Sequence, residues 1–486
     1  MDHCASVLLA FPHTSELADN EDYDKAARIH VQKVDKLIKE NGGNFPIFAE
    51  QLLDIVNPVD HSISYLALLL ALVKPPNAGQ ATLLQRVSRF LLTFDARQIR
   101  YAGSAFSELL SRIEEGWLFP QSVAVELSAT ALLRLDPTGT ILTSHHLPLV
   151  TLAYNSNNID AVLALIEKTI VFYPGINLTE SRPLSDLRLP PVAYMTPESG
   201  LTARINTTTV LKYDLLVGMC FMAKRRWQEA FEALERVVTY PTKETGCSKI
   251  MVEAHNKWLL VGLLLNGKIP TLPSTTAQGV KKSYETLSKP YLSICEAFVK
   301  DSAEGLKSEF ETLGNQFWSQ DGNLGLIRFV LSHYQRWQIL NLREVYSKIS
   351  LEQIRTTTQS AETGAPLSSD AEVEALIQGM IDEGMLNGVI EKPLEDGKPA
   401  HVVFLTSTED LSEAEFAKKM LQSARRIKDL GPIIKATNER LATSQDYLRY
   451  IIREQKKEQG GGGRGAAHPY ELQVEDEDLM TGIMRS

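Results

Sequence analysis

Apolar positions along this chain return every three to four residues, the period of a helix with one buried face. Between Ala26 and Glu40, the residues Ile29, Val34, Leu37 and Ile38 share one side of such a helix. The same spacing predicts helices over 48–56, 62–73, 83–94, 104–114, 122–133 and 159–170, many of them separated by Pro, Gly or Asn. No stretch in this half alternates with period two, which argues against a sheet-dominated fold. The pattern then fails at Pro174, Pro183, Pro190, Pro191 and Pro197. Each proline removes an amide donor and clashes with the preceding turn, so helix does not run through them. Residues 1–173 therefore form an N-terminal helical-repeat block, and 174–204 a proline-rich ordered loop or linker.

A second helical block follows over 205–338. Gly218, Phe221, Ala230, Leu234 and Val237 occur at the offsets of a tetratricopeptide-like helical hairpin, with Trp227 opening the second helix and Pro241 closing it. Gly218 and Ala230 are the small residues that let two helices touch. One clean copy is present, so the array is a degenerate one, and two generic packed helices would give the same local pattern. Residues 250–265 form a strongly apolar helix stopped by Gly267 and Pro270. Pro290 suits the first turn of a helix carrying Tyr291, Ile294 and Phe298, and Leu306, Phe310 and Leu313 mark the face of the next.

Residues 339–405 change character. Ser350 is placed to cap a short helix carrying Leu351 and Ile354, and Ser368, Ser369 and Asp370 to cap another. The second helix carries Val373, Leu376, Ile377, Met380 and Ile381 on one face and stops at Gly384. Val389 and Ile390, a turn at Asp396-Gly397, and His401 to Leu405 then predict a β-hairpin. Two short helices followed by a hairpin is the arrangement of a winged helix. Helices over 412–430 and 432–459 follow, broken at Gly431-Pro432. Ile434, Leu441 and Leu448 recur every seven residues as an apolar stripe, which packs either on this chain or in a shared bundle. Residues 460–486 begin with four glycines, include the acidic run Glu475 to Asp478, and read as a disordered tail.

Composition narrows the function. At 486 residues the chain exceeds one core, and 44% hydrophobic residues suffice for extended ones. Its net charge of −10 argues against broad binding to nucleic acid or anionic membranes. The segment 370–383 carries Asp370, Glu372, Glu374, Asp382 and Glu383 and no Lys or Arg, so as a recognition helix it would repel phosphates. Cys4, Cys220, Cys247 and Cys295 show no metal-ligand spacing and suit a reducing compartment, with Cys220 a core residue. Met1 to Ala10 lacks the basic start of a signal peptide, and the apolar run 63–73 is too short to span a bilayer. A soluble intracellular chain is expected, which makes the Asn-x-Thr triplets at Asn177 and Asn206 chance matches. Gly262 to Lys268 mimics a phosphate-binding loop, but Ile269 stands where Ser or Thr should bind magnesium. The adjacent His145 and His146 suit a loop or surface role better than metal binding. With no His-Glu-x-x-His, His-x-His or Gly-x-Ser-x-Gly sequence, the expectation is a non-enzyme with no cofactor and no metal.

The joint Val345-Tyr-Ser-Lys-Ile-Ser-Leu351, placed between helical repeats and a winged helix, resembles the PCI-domain family of the proteasome lid, the COP-nine signalosome and translation initiation factor three. Ile250 to Ala254 with Lys257 to Val261, Leu265 to Ile269 with Leu272-Pro273, and Asp321 to Ile327 are similar to the signalosome's third-subunit branch. The resemblance implies a mainly α fold: a right-handed, tetratricopeptide-like solenoid over 1–173 and 205–338, the latter being the repeats of the PCI domain, a PCI winged helix over 339–405, and C-terminal helices over 411–459. It further implies a scaffold in the cytoplasm and nucleus. Its winged helix would sit between those of the first and eighth subunits of an assembly whose metalloprotease subunit deneddylates cullins of cullin–RING ligases. Val402, Val403, Phe404 and Leu405, as a strand edge, and Ile434, Leu441 and Leu448, as a bundle stripe, are the candidate interface residues. The alternatives are a lid or initiation-factor subunit, or a stand-alone peptide-binding adaptor.

Overall fold

The computed structural model describes residues 2–453 apart from 13–18, 74–80, 175–182, 243–245, 301, 393–399, 406–412 and 444–446. Asn177, the turn at Asp396-Gly397 and the tail 460–486 lie outside the described residues. The chain divides into two compact units, Met1–Lys419 and Met420–Ser486.

The first unit is built from helices. Its N-terminal part comprises α1 (Asp2–Leu8), α2 (Asn20–Asn41), α3 (Phe45–Leu52), α4 (Ser62–Leu72), α5 (Ala81–Thr93), α6 (Ala96–Ile99), α7 (Gly103–Glu114), α8 (Gln121–Leu135), α9 (His146–Asn155) and α10 (Asp160–Ile166). Then come α11 (Pro191–Tyr194), α12 (Thr207–Ala223), α13 (Trp227–Val238), α14 (Lys249–Asn266), α15 (Gln278–Leu287), α16 (Lys289–Val299), α17 (Ala303–Gln320) and α18 (Leu324–Leu342). Each packs mainly on near neighbours in sequence: α4 on α5 and α7, α5 on α8, α8 on α9, α9 on α12, α13 on α14, α14 on α16 and α18. This is a helical-repeat stack, in which no pair of helices buries its apolar face without the next. Helix α10 stops earlier than its periodicity predicts. Beyond it, Val171 and Phe172 donate to the carbonyl of Thr140, and Phe172 forms an isolated parallel bridge with Ile141.

Close approach of α12 and α13 depends on Gly218. A Cβ built there would lie 2.9 Å from Leu234 Cγ. The turn between the two helices places Arg225 at φ 56°, and Trp227 opens α13. Helix α14 buries 12 of its 18 residues, and the stretch 254–264 is covered on every side. Ser248 caps its start, and Gly267 ends it in the left-handed region at φ 64°. A Cβ at Gly262 would meet Pro270 Cγ at 2.7 Å, so this glycine serves helix packing and not phosphate binding.

The proline-rich segment is bound down along its described length. Arg100 donates to the carbonyls of Leu184 and Asp186 at 2.9 and 2.8 Å and stacks 3.8 Å above the Tyr194 ring. Arg97 donates to the Ser185 carbonyl and to Asn20 Oδ1, with its guanidinium 3.7 Å over Tyr23. Ser185 Oγ donates to the Asn20 carbonyl at 2.6 Å, and the Tyr194 hydroxyl to that of Leu135 at 2.9 Å. At Gly103 a Cβ would sit 2.2 Å from the Ser199 carbonyl. Residues 183–204 are therefore an ordered strap across the N-terminal helices and not a spacer.

After α18 come β1 (Lys348–Ser350), α19 (Leu351–Thr357), α20 (Asp370–Asp382), β2 (Gly388–Glu391) and β3 (His401–Phe404). Ser350 and Gln353 form a reciprocal capping box on α19, Ser369 caps α20, and Gly384 at φ 73° follows its end. The strands form one antiparallel sheet in the order β1-β3-β2. Val373, Ile377 and Met380 of α20 share a core with Ile349, Ile354, Val402 and Phe404.

Helix α21 (Glu413–Thr443) departs from expectation: it runs unbroken through Gly431-Pro432. Proline disfavours helix at the preceding residue largely through that residue's Cβ, which Gly431 lacks. The backbone hydrogen bond that proline cannot donate at position 432 leaves one carbonyl a turn earlier for solvent to satisfy.

Two outcomes follow. Gly218→Val should lower stability by about 1–3 kcal/mol through overpacking against Leu234, read from the shift in denaturation midpoint. Arg100→Ala should leave the Leu184 and Asp186 carbonyls without their donor and speed limited proteolysis within 183–204, mapped by mass spectrometry.

Candidate functional site

One cluster has the geometry of a nucleophile relay. Ser107 Oγ lies 2.8 Å from His145 Nε2, and His145 Nδ1 lies 3.1 Å from Glu114 Oε1. Sequence reading finds no such constellation, because the partners are far apart and form no local motif. Catalysis would also need donors aimed at a developing oxyanion. Ser107 sits in the middle of α7, where the backbone amides are committed to the helix. Glu114, two turns further along the same helix, is buried with His145, at 8% and 5% side-chain exposure. Burial pushes the Glu114 carboxyl up, and its bond to His145 offsets part of that rise. The cluster is a polar tie between α7 and the start of α9.

His145 and His146 are both buried, contrary to the surface role expected from their adjacency. The rings point to different elements. While His145 turns to α7, His146 Nδ1 accepts from the Thr143 amide at 3.1 Å and meets the Tyr213 ring of α12 edge-on. Burial lowers His146 to about 3, so the ring is neutral. All four cysteines are free thiols, and burial pushes Cys220 and Cys295 up to about 12, far from a reactive thiolate. Among the described residues no group of three or more His, Cys, Asp or Glu is placed to hold a metal ion. No described helix is long and apolar enough to cross a membrane.

The surfaces offer more. Strand β3 was expected to present a free edge, but it is the central strand. Ile349 and Ile390 both pair with Val402, and Lys348 and Val389 both flank Val403. The misreading has a plain cause: β1 is only three residues long, at the joint before α19, and carries no strand-like pattern of its own. Val402 and Phe404 point into the core, Val403 and Leu405 are half-buried, and the edges of the sheet belong to β1 and β2. Around those edges Val345, Tyr346 and Val389 are exposed, Val345 at 76%.

A second surface lies on α21. Phe416, Met420, Ile427, Leu430, Ile434 and Leu441 are all exposed, Ile427 at 70%. Leu448, in a further helical stretch at 447–453, is exposed as well. Met420, Ile427, Ile434, Leu441 and Leu448 are spaced by seven, with Phe416 and Leu430 at the intervening positions of a coiled-coil seam. Leu421, off this seam, is exposed as well. The predicted stripe residues Ile434, Leu441 and Leu448 lie along this exposed seam.

Comparison with known proteins bears on the reading of these surfaces. A family model described as "COP9 signalosome complex subunit 3, N-terminal helical repeats" matches residues 21–280. A Neurospora crassa protein named COP9 signalosome complex subunit 3 is 46% identical over 497 residues, covering 99% of each chain. The Emericella nidulans protein of the same name is 30% identical over 421 residues, covering 83% of each. Its Arabidopsis thaliana counterpart is 24% identical over 428 residues, covering 87% of this chain and 88% of the plant protein.

The buried histidines set a pH dependence. Burial lowers His30 and His255 to about 4 and His146 to about 3, from 6.5. Between those values the unfolded chain binds more protons than the folded one, so stability is complete above 6.5 and drains away as pH falls. The urea midpoint should therefore drop between about pH 7 and about pH 5. His255→Gln, which cannot titrate and keeps a polar group for Ser288, should make that drop smaller.

Proposed function

This chain belongs to the COP9 signalosome subunit 3 family, and we propose that it is a non-catalytic scaffold subunit of that signalosome. The observation that carries the reading is the exposed seam on α21. It has the spacing of a helix that completes its burial in a bundle of several chains, and Ile434, Leu441 and Leu448 belong to it. The module from β1 to β3 is read as a PCI winged helix. Its edges at β1 and β2, with Val345, Tyr346 and Val389 beside them, suit pairing with neighbouring subunits, of which the first and eighth are the proposed ones. Val403 and Leu405 would then contribute side chains to such a contact, while Val402 and Phe404 hold the strand in place from beneath.

In this reading the chain positions the metalloprotease subunit, and the assembly removes a ubiquitin-like modifier from cullins of cullin–RING ligases, in cytoplasm and nucleus. The lack of an oxyanion site at the Ser107–His145–Glu114 cluster accords with a chain that performs no chemistry itself. The acidic outer face of α20 accords with a module that binds protein and not nucleic acid.

The test is affinity purification of the tagged chain from its own cells, with and without the double substitution Ile427→Asp and Leu441→Asp. Both side chains are exposed, so folding stability should change by no more than about 0.5 kcal/mol at each site. The wild-type chain should recover the other signalosome subunits and cullins, and the variant should lose most of them while keeping its circular dichroism spectrum. An undiminished complex with the variant would remove the seam from the interface. Recovery of proteasome or initiation-factor subunits would replace the assembly, and recovery of the chain alone would favour an adaptor.

A further inference from the structure

Three features marked by the sequence meet in space: Trp227, the stretch 257–261 and the stretch 321–327. Trp227, Lys257, Asn323 and Leu326 line one cleft of about 290 Å3. Its apolar walls are within reach of solvent: Met219, Met222, Trp227, Leu326 and Phe329 are each half-buried, and Tyr154 at the rim is exposed. The Trp227 and Phe329 rings stand 5.3 Å apart, tilted by 33°. Gly325, another lining residue, is exposed, and a Cβ there would meet nothing within 4 Å.

The charge beside these walls is positive. The turn from α12 to α13 carries Lys224, Arg225 and Arg226 in a row. Lys224 pairs with Asp160, and Arg226 with Glu167 and Glu229. Arg225 has no carboxylate partner among the described residues; it is exposed, and its guanidinium lies 5.2 Å over the Phe329 ring. A cation seated on a ring keeps its N–H donors for another group. No Asp or Glu is among the described lining residues. Glu253 and Asp321 are engaged elsewhere, the first with Lys257 and the second with Tyr291 and Asn323. Arg225 also holds φ at 56°, a backbone that glycine adopts at less cost. A long cationic side chain thus stands where local geometry favours none.

We propose that this cleft docks a segment of a partner protein in which a large apolar side chain is flanked by carboxylates. The side chain enters between Trp227, Phe329 and the two methionines, whose flexible thioethers adapt to its shape. A flanking carboxylate takes the open donors of Arg225. A basic segment would meet Arg225 unopposed, and a nucleic acid would bring a row of phosphates to a single uncompensated cation. The cleft shares no residue with the seam on α21, so the two contacts can fail separately.

Fluorescence anisotropy with the full chain tests this, using a labelled, amidated pentapeptide with phenylalanine between two glutamates and a glycine at each end. Counterparts carry glutamine for both glutamates, or alanine for the phenylalanine. The parent peptide should bind at least about tenfold more tightly than either counterpart. Arg225→Gly should weaken it about tenfold without lowering Tm, because glycine suits the left-handed backbone there. Gly325→Leu adds bulk at the cleft and a better helix former, and should weaken binding similarly while Tm holds or rises. Equal binding of the glutamate and glutamine peptides, no saturable binding up to about 1 mM, or affinity unchanged by both variants would overturn the proposal. Tighter binding of a labelled oligouridine than of the parent peptide would overturn it too. If one variant fails to fold, the other decides alone.

Discussion

Everything around the middle of this protein depends on covering the stretch 254–264 of α14. A helical stretch buried on all sides has no solvent face to turn outward, so it fixes its neighbours. Helices α12, α13, α15, α16 and α18 all contact it. Its polar residues must then find partners inside: His255 Nδ1 meets Ser288 Oγ at 2.8 Å and its ring stacks on Tyr284, and Lys257 reaches Glu253. Gly262 and Gly267 exist to admit Pro270 and Trp337 against the helix. A chain that assembles from stacked hairpins is only as rigid as its most enclosed layer.

Much of the helical stack is legible in the sequence because helix periodicity and caps are local signals. Ser350, Gly267 and Pro290 act where their chemistry places them, and Gly218 with Ala230 marks a real close approach. The failures are mostly non-local. The centrality of β3 depends on a three-residue strand that pairs with partners more than 50 residues away. The burial of His145 and His146 depends on Ser107, Glu114 and Tyr213, which no spacing rule connects to them. One failure is local: the continuity of α21 turns on Gly431 relaxing a restriction that a larger residue before proline would impose.

The polar clusters illustrate why geometry alone does not make an active site. Ser107, His145 and Glu114 have relay distances, yet the serine lies within a helix whose amides are already engaged. Buried polar groups in such stacks tie helices together and select one packing over others. The exposed apolar side chains lie instead along α21 and beside the strand edges, at Val345 and Val389.

The strap over 183–204 has a consequence for the order in which this chain acquires its structure. Ser185 closes a bond onto Asn20 across 165 residues. On a ribosome adding about 5–20 residues each second, the carbonyl of Asn20 emerges roughly 10–30 s before its partner. Arg97 and Arg100 wait as well, as exposed cations beside Tyr23 and ahead of Tyr194. The N-terminal helices therefore spend that interval without the strap that fastens them, the part of biosynthesis in which this chain would most need a chaperone.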